Sequence, residues 1–239
     1  MKHILLFSSI LIIIFSSCRF VEGRRVRGDG HVITQQRSIT GFSGVETHGS
    51  INLEVSQGDF KVVVESDENI IPEIVTEVQG GRLLVHFTDG FNSFSYTNAT
   101  VYITAPDLNA FETHGSGNIE SKGTINTGNK AEINVSGSGD ITLSLHSPQV
   151  TSETYGSGNV TLSGETKDFS ASISGSGDVH AFDLKAENVE TSTHGSGNTE
   201  VYSSVKLTSE IYGSGDITYK GNPQISTQTH GSGAVSSAN

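Results

Sequence analysis

The C-terminal half of the chain repeats one tripeptide, Gly-Ser-Gly, at a nearly constant interval. The tripeptide begins at residues 115, 137, 156, 175, 195, 213 and 231, so successive copies lie 18 to 22 residues apart. A degenerate copy begins at Gly49, which Thr-His precedes just as it precedes Gly115. An interval of about 20 residues is typical of solenoid proteins, in which each repeat forms one coil and cannot bury its apolar face alone. The repeat therefore predicts a stack of coils.

Each repeat consists of a glycine corner and two β-like segments. A bulky apolar residue follows most corners, as Val160 does, and alternating apolar residues such as Phe169, Ala171 and Ile173 precede the next one. Alternating residues share one face of a strand, and coils stacked at about 4.8 Å would shelter these faces in a thin interior. The glycines are expected to supply a positive φ at a sharp corner. We therefore predict an all-β, parallel β-helix-like solenoid with a ladder of Gly-Ser-Gly turns.

The residue after each Gly-Ser-Gly alternates between an amide and a carboxylate. In chain order these residues are Asn118, Asp140, Asn159, Asp178, Asn198, Asp216 and finally Ala234. In a stack, this alternation would keep like charges about 10 Å apart and would allow amide-to-carboxylate hydrogen bonds between neighbouring coils. The other interpretation is that Asn and Asp are interchangeable turn residues. The sequence favours neither.

The N-terminus has the pattern of an exported lipoprotein. Residues 1–17 contain a polar start, a short apolar run and two small residues, which is typical of a cleaved signal peptide. Cys18, the single cysteine of the chain, follows directly, as in the lipobox of bacterial lipoproteins, where the cysteine becomes the lipidated N-terminus. We predict a lipid anchor at Cys18 and a location in the cell envelope, on the outer membrane at its periplasmic or its surface face.

The rest of the chain divides into three parts. Residues 18–36 are polar and show no period, and they are predicted to be a tether. Residues 37–110 contain short β-branched or alternating runs bounded by turns, which predict a less regular β-rich section with the first solenoid coil. The Gly-Ser-Gly solenoid is predicted over residues 111–239.

Net charge argues against one class of partner. The chain carries a formal net charge of −12, and its few clustered arginines lie just behind the leader. Such an acidic surface repels phosphate backbones, so a nucleic-acid partner is not expected. No residue pattern indicates a cofactor, and none is predicted.

Several segments together resemble one known family. They are residues 37–45, the strand at residues 51–55, residues 101–106 with Leu108, and the repeated Gly-Ser-Gly-Asp/Asn-Ile/Val. These segments are similar to the "putative auto-transporter adhesin, head GIN domain" family of Bacteroidetes-type envelope lipoproteins, and the resemblance covers roughly residues 37–239. It implies a β-helix-like solenoid and an adhesin role, and it transfers no catalytic or ligand-binding residues.

The residue before each corner provides the candidate binding surface. Rings occupy six of these positions, namely His48, His114, Tyr155, His194, Tyr212 and His230, and serines occupy two others, Ser136 and Ser174. An exposed ladder of rings could stack on sugars, whereas a packed ladder would be structural. A metal site is not predicted, because ligands two coils apart lie about 10 Å from each other and zinc needs several ligands at about 2 Å. Only His48 and His114 could be adjacent, if their coils are neighbours.

These features favour a non-enzymatic envelope lipoprotein that presents a polar solenoid surface to a glycan or a protein. The alternative is a polysaccharide-active β-helix enzyme that uses the less regular part, residues 69–98, with carboxylates such as Asp67, Glu68 and Asp89. The evenly spread Asp residues of the repeats argue against an enzyme, because glycoside hydrolysis needs carboxylates clustered at one groove. A third hypothesis is architectural, with solenoid ends that self-associate.

Overall fold

The computed structural model describes residues 24–238, which form two β-sheets and one turn of 3-10 helix at Ile71–Glu73. Cys18 and the predicted signal peptide lie outside these residues. The strands of the described part are β1 (Arg24–Arg27), β2 (Val32–Arg37), β3 (Gly44–Gly49), β4 (Asn52–Gln57), β5 (Lys61–Asp67), β6 (Ile74–Gln79), β7 (Arg82–Phe87), β8 (Phe91–Ser95), β9 (Ala99–Ala105), β10 (Ala110–Gly115), β11 (Ile119–Asn126), β12 (Lys130–Gly137), β13 (Ile141–Gly156), β14 (Val160–Gly175), β15 (Val179–Gly195), β16 (Thr199–Gly213), β17 (Ile217–Lys220), β18 (Gln224–Gly231) and β19 (Val235–Ser237). The predicted all-β class is confirmed.

Two parallel ladders build most of the large sheet, and β2, β5 and β6 join it by antiparallel pairing. The pre-turn ladder contains β7 and the strands that lead into the glycine corners: β3, β10, β12, the second halves of β13 to β16, and β18. The post-turn ladder contains β9 and the strands that follow the corners: β4, β11, the first halves of β13 to β16, β17 and β19. Corner glycines of successive coils pair with each other, beginning with Gly49 and Gly115. The predicted solenoid is confirmed, and Gly49 is a corner of it.

The interior is a thin apolar layer that both ladders supply. Phe169 and Ile173 come from the pre-turn ladder and Val160 and Leu162 from the post-turn ladder, and none of the four is more than 2% exposed. Thr199, which replaces the apolar residue after its corner, is buried as well. The buried residues form one cluster that extends along the chain from the N-terminal section into the repeats. Each coil offers only a few inward side chains, so neighbouring coils complete their burial.

Part of the predicted tether is folded. Residues 24–36 contain β1, which pairs with β8, and most of β2, which pairs antiparallel with β5. The side chains of β2 are mostly exposed, so backbone hydrogen bonds along the edge of β5 hold this strand. The prediction of a tether over residues 18–36 is therefore wrong for this stretch, because hydrophobic periodicity gives no signal for a strand that buries little.

The strands of the repeats are longer than the short segments that the sequence predicts. β13, β14, β15 and β16 each continue through 15 to 17 residues. The chain passes from the post-turn to the pre-turn ladder while its pairing with the neighbouring coil continues, as it does between β13 and β14 from Ile141 to Gly156. Bends within a paired strand thus replace some of the expected turns.

In a typical corner of the repeats, steric limits exclude a side chain at both glycines. The first, for example Gly175, has a positive φ of 143°, which disfavours any L side chain, and a Cβ there would lie 2.2 Å from the carbonyl oxygen of Gly156. The second, Gly177, carries its constraint in space, because a Cβ there would lie 2.0 Å from the carbonyl oxygen of Gly158 on the preceding coil. The backbone N–H groups of Ser176 and Gly177 donate to the carbonyl of Gly156 at 2.8 and 3.1 Å. The corners are therefore bonded directly to one another.

The alternating amides and carboxylates form a second ladder beside the corners. Each Oδ1 accepts a hydrogen bond from the backbone N–H of the equivalent residue on the next coil, at 2.6–3.0 Å, in a series from Asn52 to Ala234. Asn159 Nδ2 donates in addition to Asp140 Oδ1 at 3.0 Å, and Asn198 Nδ2 donates to Asp178 Oδ1 at 3.2 Å. Asn and Asp thus both accept a backbone hydrogen bond through Oδ1. Their alternation adds hydrogen bonds from amide Nδ2 groups to carboxylates.

Asp67, at the end of β5, connects parts of the N-terminal section through hydrogen bonds. Its side chain is fully buried and accepts hydrogen bonds from the backbone N–H groups of Thr97 (2.7 Å) and Gly30 (2.9 Å) and from the Thr97 hydroxyl (3.0 Å). These bonds, that from the Thr97 backbone above all, hold the pKa of Asp67 below its ordinary value of 3.8, although burial opposes them. The carboxylate thereby joins β5 to the loop before β2 and the loop after β8.

Replacing the second corner glycine should disrupt the stack. Gly177→Ala is expected to lower the free energy of unfolding by about 3 kcal/mol or more, because the methyl group meets backbone that cannot move without breaking the ladder. Gly128→Ala is the matched control, since a Cβ at Gly128 meets nothing within 4 Å. Urea denaturation followed by circular dichroism measures both. Equal stabilities of the two variants would contradict direct stacking of the corners.

Removing one acceptor of the amide–carboxylate ladder should lower the free energy of unfolding less than Gly177→Ala does. Asp140→Ala leaves the Asn159 N–H without its partner, so we expect a loss of about 1–2 kcal/mol in the free energy of unfolding. Asp140→Asn keeps the Oδ1 acceptor and should retain most of that stability. If both variants lost the same amount, charge rather than the shared acceptor would be responsible.

The stability conferred by Asp67 should depend on pH. Its folded-state pKa lies below the unfolded one, so the stabilisation is complete above the unfolded value and is lost as the pH falls through the folded value. The difference in unfolding free energy between wild type and Asp67→Asn should therefore shrink as the pH falls below about 4. Denaturation at a series of pH values measures it, with exposed Asp89→Asn as control. A difference independent of pH would argue against this contribution.

Candidate functional site

The residues before the corners form one column along the pre-turn ladder. Backbone pairing places them on successive coils in the order His48, His114, Ser136, Tyr155, Ser174, His194, Tyr212 and His230. We call the six aromatic and histidine side chains of this set the ring column. Backbone pairing thus brings all six predicted surface residues into one line.

The ring column faces solvent. Strand alternation turns Thr154 inward at 1% exposed and its neighbour Tyr155 outward at 53%, the same orientation that Tyr212 adopts at 40%. The side chains of His48 and His114 are 46% and 39% exposed. The rings are thus displayed rather than packed into the core.

Neighbouring rings contact each other at both ends of the column. At the C-terminal end, the ring centroids of His194 and Tyr212 lie 4.7 Å apart and those of Tyr212 and His230 lie 4.9 Å apart, with interplanar angles of 13°. At the N-terminal end, the rings of His48 and His114 meet edge to face at 4.8 Å. Offset and edge-to-face arrangements of this kind are the favourable ones for aromatic rings.

The middle of the column contains two gaps. Ser136 and Ser174 lie on the coils immediately before and after Tyr155, so each face of this ring is next to a serine instead of another ring. At about 4.8 Å per coil, the rings on either side of each serine are separated by about 9.6 Å. We call the space over Ser136, between His114 and Tyr155, the first gap, and the space over Ser174, between Tyr155 and His194, the second gap.

Acidic side chains accompany the rings. Two residues before four of the six rings, on the same outward face, stand glutamates, namely Glu46, Glu112, Glu153 and Glu210; Ser192 and Gln228 occupy the same position before His194 and His230. His48 Nε2 lies 2.6 Å from Glu46 Oε1, and His114 Nε2 lies 2.7 Å from Glu112 Oε1. The Tyr155 hydroxyl donates to Glu153 at 3.3 Å, and the charge of Glu153 raises the pKa of this tyrosine.

Sequence reasoning missed this acidic column. The signal was available, because residues two apart on a strand share a face, so each ring implies that the residue two before it lies beside it. Glu112 and Glu153 supply hydrogen-bond acceptors beside the first gap, and Glu153 supplies them beside the second.

The carboxylates of the alternative enzyme site differ in their surroundings. Asp67 is fully buried and holds two loops, so a substrate cannot reach it. Glu68 Oε2 lies 3.1 Å from His31 Nδ1, within hydrogen-bond distance. Asp89 is exposed at the turn between β7 and β8. Asp67 therefore has a structural task in this fold.

A groove lies apart from the ring column, where β13 to β16 bend. It encloses about 450 Å³ and is lined by side chains that include His146, Glu165, Lys185 and Tyr202. The Lys185 ammonium lies 4.2 Å from the centroid of the Tyr202 ring, so both groups already have a partner.

The described residues contain no helix that is both long enough and apolar enough to span a bilayer.

Solved structures share this fold. A "putative adhesin" from Bacteroides fragilis superposes with a TM-score of 0.84 at 22% identity, over 89% of this chain and 99% of the other. A "putative lipid binding protein" and a "putative adhesin", both from Parabacteroides distasonis, superpose with TM-scores of 0.76 and 0.73, each at 27% identity over 90% of this chain and all of the other. No curated protein matches the sequence significantly.

The family assignment has a firmer basis in the sequence. Residues 41–223, about three quarters of the chain, match the family described as "Putative auto-transporter adhesin, head GIN domain". This range contains the corners from Gly49 to Gly213, the amide–carboxylate ladder and most of the ring column. Together with the shared solenoid, the match establishes that the chain belongs to this family.

Proposed function

We propose that this protein is a non-enzymatic, adhesin-type module of the cell envelope that binds a neutral glycan on its ring column. Membership of the family and the likeness to solved adhesin-type solenoids support the adhesin class. Cys18 is the lipid anchor in this proposal, so the ring column stands on a solenoid attached to the membrane at its N-terminal end.

The observation that carries the proposal is the pair of gaps beside Tyr155. A separation of about 9.6 Å between flanking rings leaves room for one flat ring at about 4.8 Å from each of them. A sugar in the second gap would place its C–H faces against Tyr155 and His194 and its edge over Ser174. Tyr155 is 53% exposed, more than Tyr212 at 40%, so stacking on Tyr155 removes apolar surface from water.

The charges beside the column favour a neutral ligand. Glu112 and Glu153 flank the gaps and accept hydrogen bonds, which suits the hydroxyl groups of a sugar. The same carboxylates and the net charge of −12 repel uronic or sialic acids.

The interior is less suited to a ligand. One neighbour of this fold is named a lipid binding protein. In this chain, however, the space between the two ladders is filled by side chains such as Leu143 and Leu162, each 1% exposed. The proposal therefore rests on the outer surface.

Removing the central ring should abolish most of the binding. We expect Tyr155→Ala to weaken affinity about tenfold or more for neutral glycans that the wild type selects from a glycan array, because both gaps lose a wall. Ser174→Tyr should abolish binding in the second gap by filling it with a ring, while the coil stays folded. Tyr202→Ala removes a tyrosine from the separate groove and is the matched control.

Biolayer interferometry on the selected glycan, with circular dichroism of each variant, measures these effects. Absence of any glycan hit would count against the proposal, as would equal affinities of Tyr155→Ala and Tyr202→Ala. Turnover of the selected glycan would instead support the enzyme alternative.

A further inference from the structure

The N-terminal end of the ring column brings two histidines and two glutamates together. β3 and β10 pair in parallel and in register, with Glu46 opposite Glu112 and His48 opposite His114. All four side chains point outward on adjacent coils, because residues two apart share a face. This is the one pair of neighbouring coils in which the ring column provides two consecutive imidazoles with a carboxylate beside each.

The potential ligand atoms already converge. Glu46 Oε1 lies 2.6 Å from His48 Nε2 and 3.8 Å from His114 Nε2, and all three atoms lie within 4.8 Å of one another. A tetrahedral zinc ion with bonds of about 2.0–2.1 Å requires ligand atoms about 3.3 Å apart. Side-chain rotations that open the shortest separation and close the longest would reach this geometry, while the paired backbone stays in place.

Electrostatics favours a cation at the same point. Glu46 and Glu112 are like charges on adjacent strands, a destabilising arrangement when nothing compensates it. Arg82 Nη1 lies 3.2 Å from Glu112 Oε2 and offsets the charge of that carboxylate. Glu46 contacts His48 and His114 instead of an arginine. Its side chain is only 20% exposed, so its attraction to a divalent ion would be screened less than at a fully exposed site.

Each of the other His–Glu pairs on the surface contains a single imidazole. His31 with Glu68, His86 with Glu77, His146 with Glu165 and His180 with Glu200 each bring one histidine to one carboxylate. His194 and His230 are separated by the Tyr212 ring. Within residues 24–238, Glu46, His48 and His114 are the one group of three or more such ligands that lies close enough for a single ion.

We propose that Glu46, His48 and His114 bind one borderline divalent transition-metal ion, with zinc as the principal candidate. Imidazole nitrogen and carboxylate oxygen are ligands that zinc takes, and three protein ligands leave a fourth position open to water. Each neutral imidazole carries its proton on Nδ1 and offers the Nε2 lone pair to the ion. Without the ion, Glu112 Oε1 lies 2.7 Å from His114 Nε2, so metal binding displaces this contact and leaves Glu112 paired with Arg82.

Metal titration of the tag-free mature chain tests this site. Isothermal titration with ZnCl₂ should give one site per chain, and Co²⁺ should develop the visible absorption of tetrahedral coordination. His48→Ala and His114→Ala should each weaken zinc binding at least about a hundredfold, since loss even of an outer-shell partner costs 10–100-fold.

The controls come from the same column. His194→Ala and His230→Ala each remove an exposed histidine that lacks the second imidazole, and they should leave zinc affinity unchanged. His48→Gln and His114→Gln serve as replacements if an alanine variant fails to fold. No saturable zinc binding, or equal losses in His48→Ala and His194→Ala, would overturn the proposal. Tyr155→Ala should leave zinc binding intact, which separates this test from that of glycan binding.

Discussion

Backbone hydrogen bonds between parallel coils are the interaction on which the rest of the structure depends. Each coil of the repeats has few inward side chains, so its stability comes from the pairing of its strands with the neighbouring coils. Such pairing requires the corners to approach as closely as the strands do. Glycines allow that approach, because a Cβ at Gly175 or at Gly177 would meet the backbone of the preceding coil, and Gly175 also has a positive φ. The amide–carboxylate ladder then fixes the corners to one another with side-chain acceptors.

The same pairing positions everything on the outer surface. Because the register is continuous, one side chain per coil recurs at the same point, and rings separated in sequence by about 20 residues become neighbours at stacking distance. Where two histidines follow each other, as at His48 and His114, their nitrogens converge near one carboxylate. Where a serine intervenes, as at Ser174, a gap opens. Both proposed binding sites are therefore products of which residue each coil places at one position.

Much of the fold could be predicted from the sequence, because repetition converts a local pattern into a global one. The seven Gly-Ser-Gly corners and the alternating apolar residues sufficed for the solenoid, and the ring column followed from the register. What escaped prediction depends on pairing without a hydrophobic pattern. β2 buries little and is held by the edge of β5, and Asp67 looks like any surface carboxylate until its contacts with Gly30 and Thr97 are known. The acidic column was missed because it does not belong to the repeated tripeptide.

The interruption of the column by single serines has an evolutionary consequence. Coils share one corner and one interior but differ in the outward side chain, so recombination between corners can delete or duplicate whole coils. Excision of residues 157–175 would remove Ser174 and place Tyr155 next to His194, with a corner still following Gly156. A lineage built on this scaffold can thus change the order of its outward rings by gene rearrangement, without new mutations in the core.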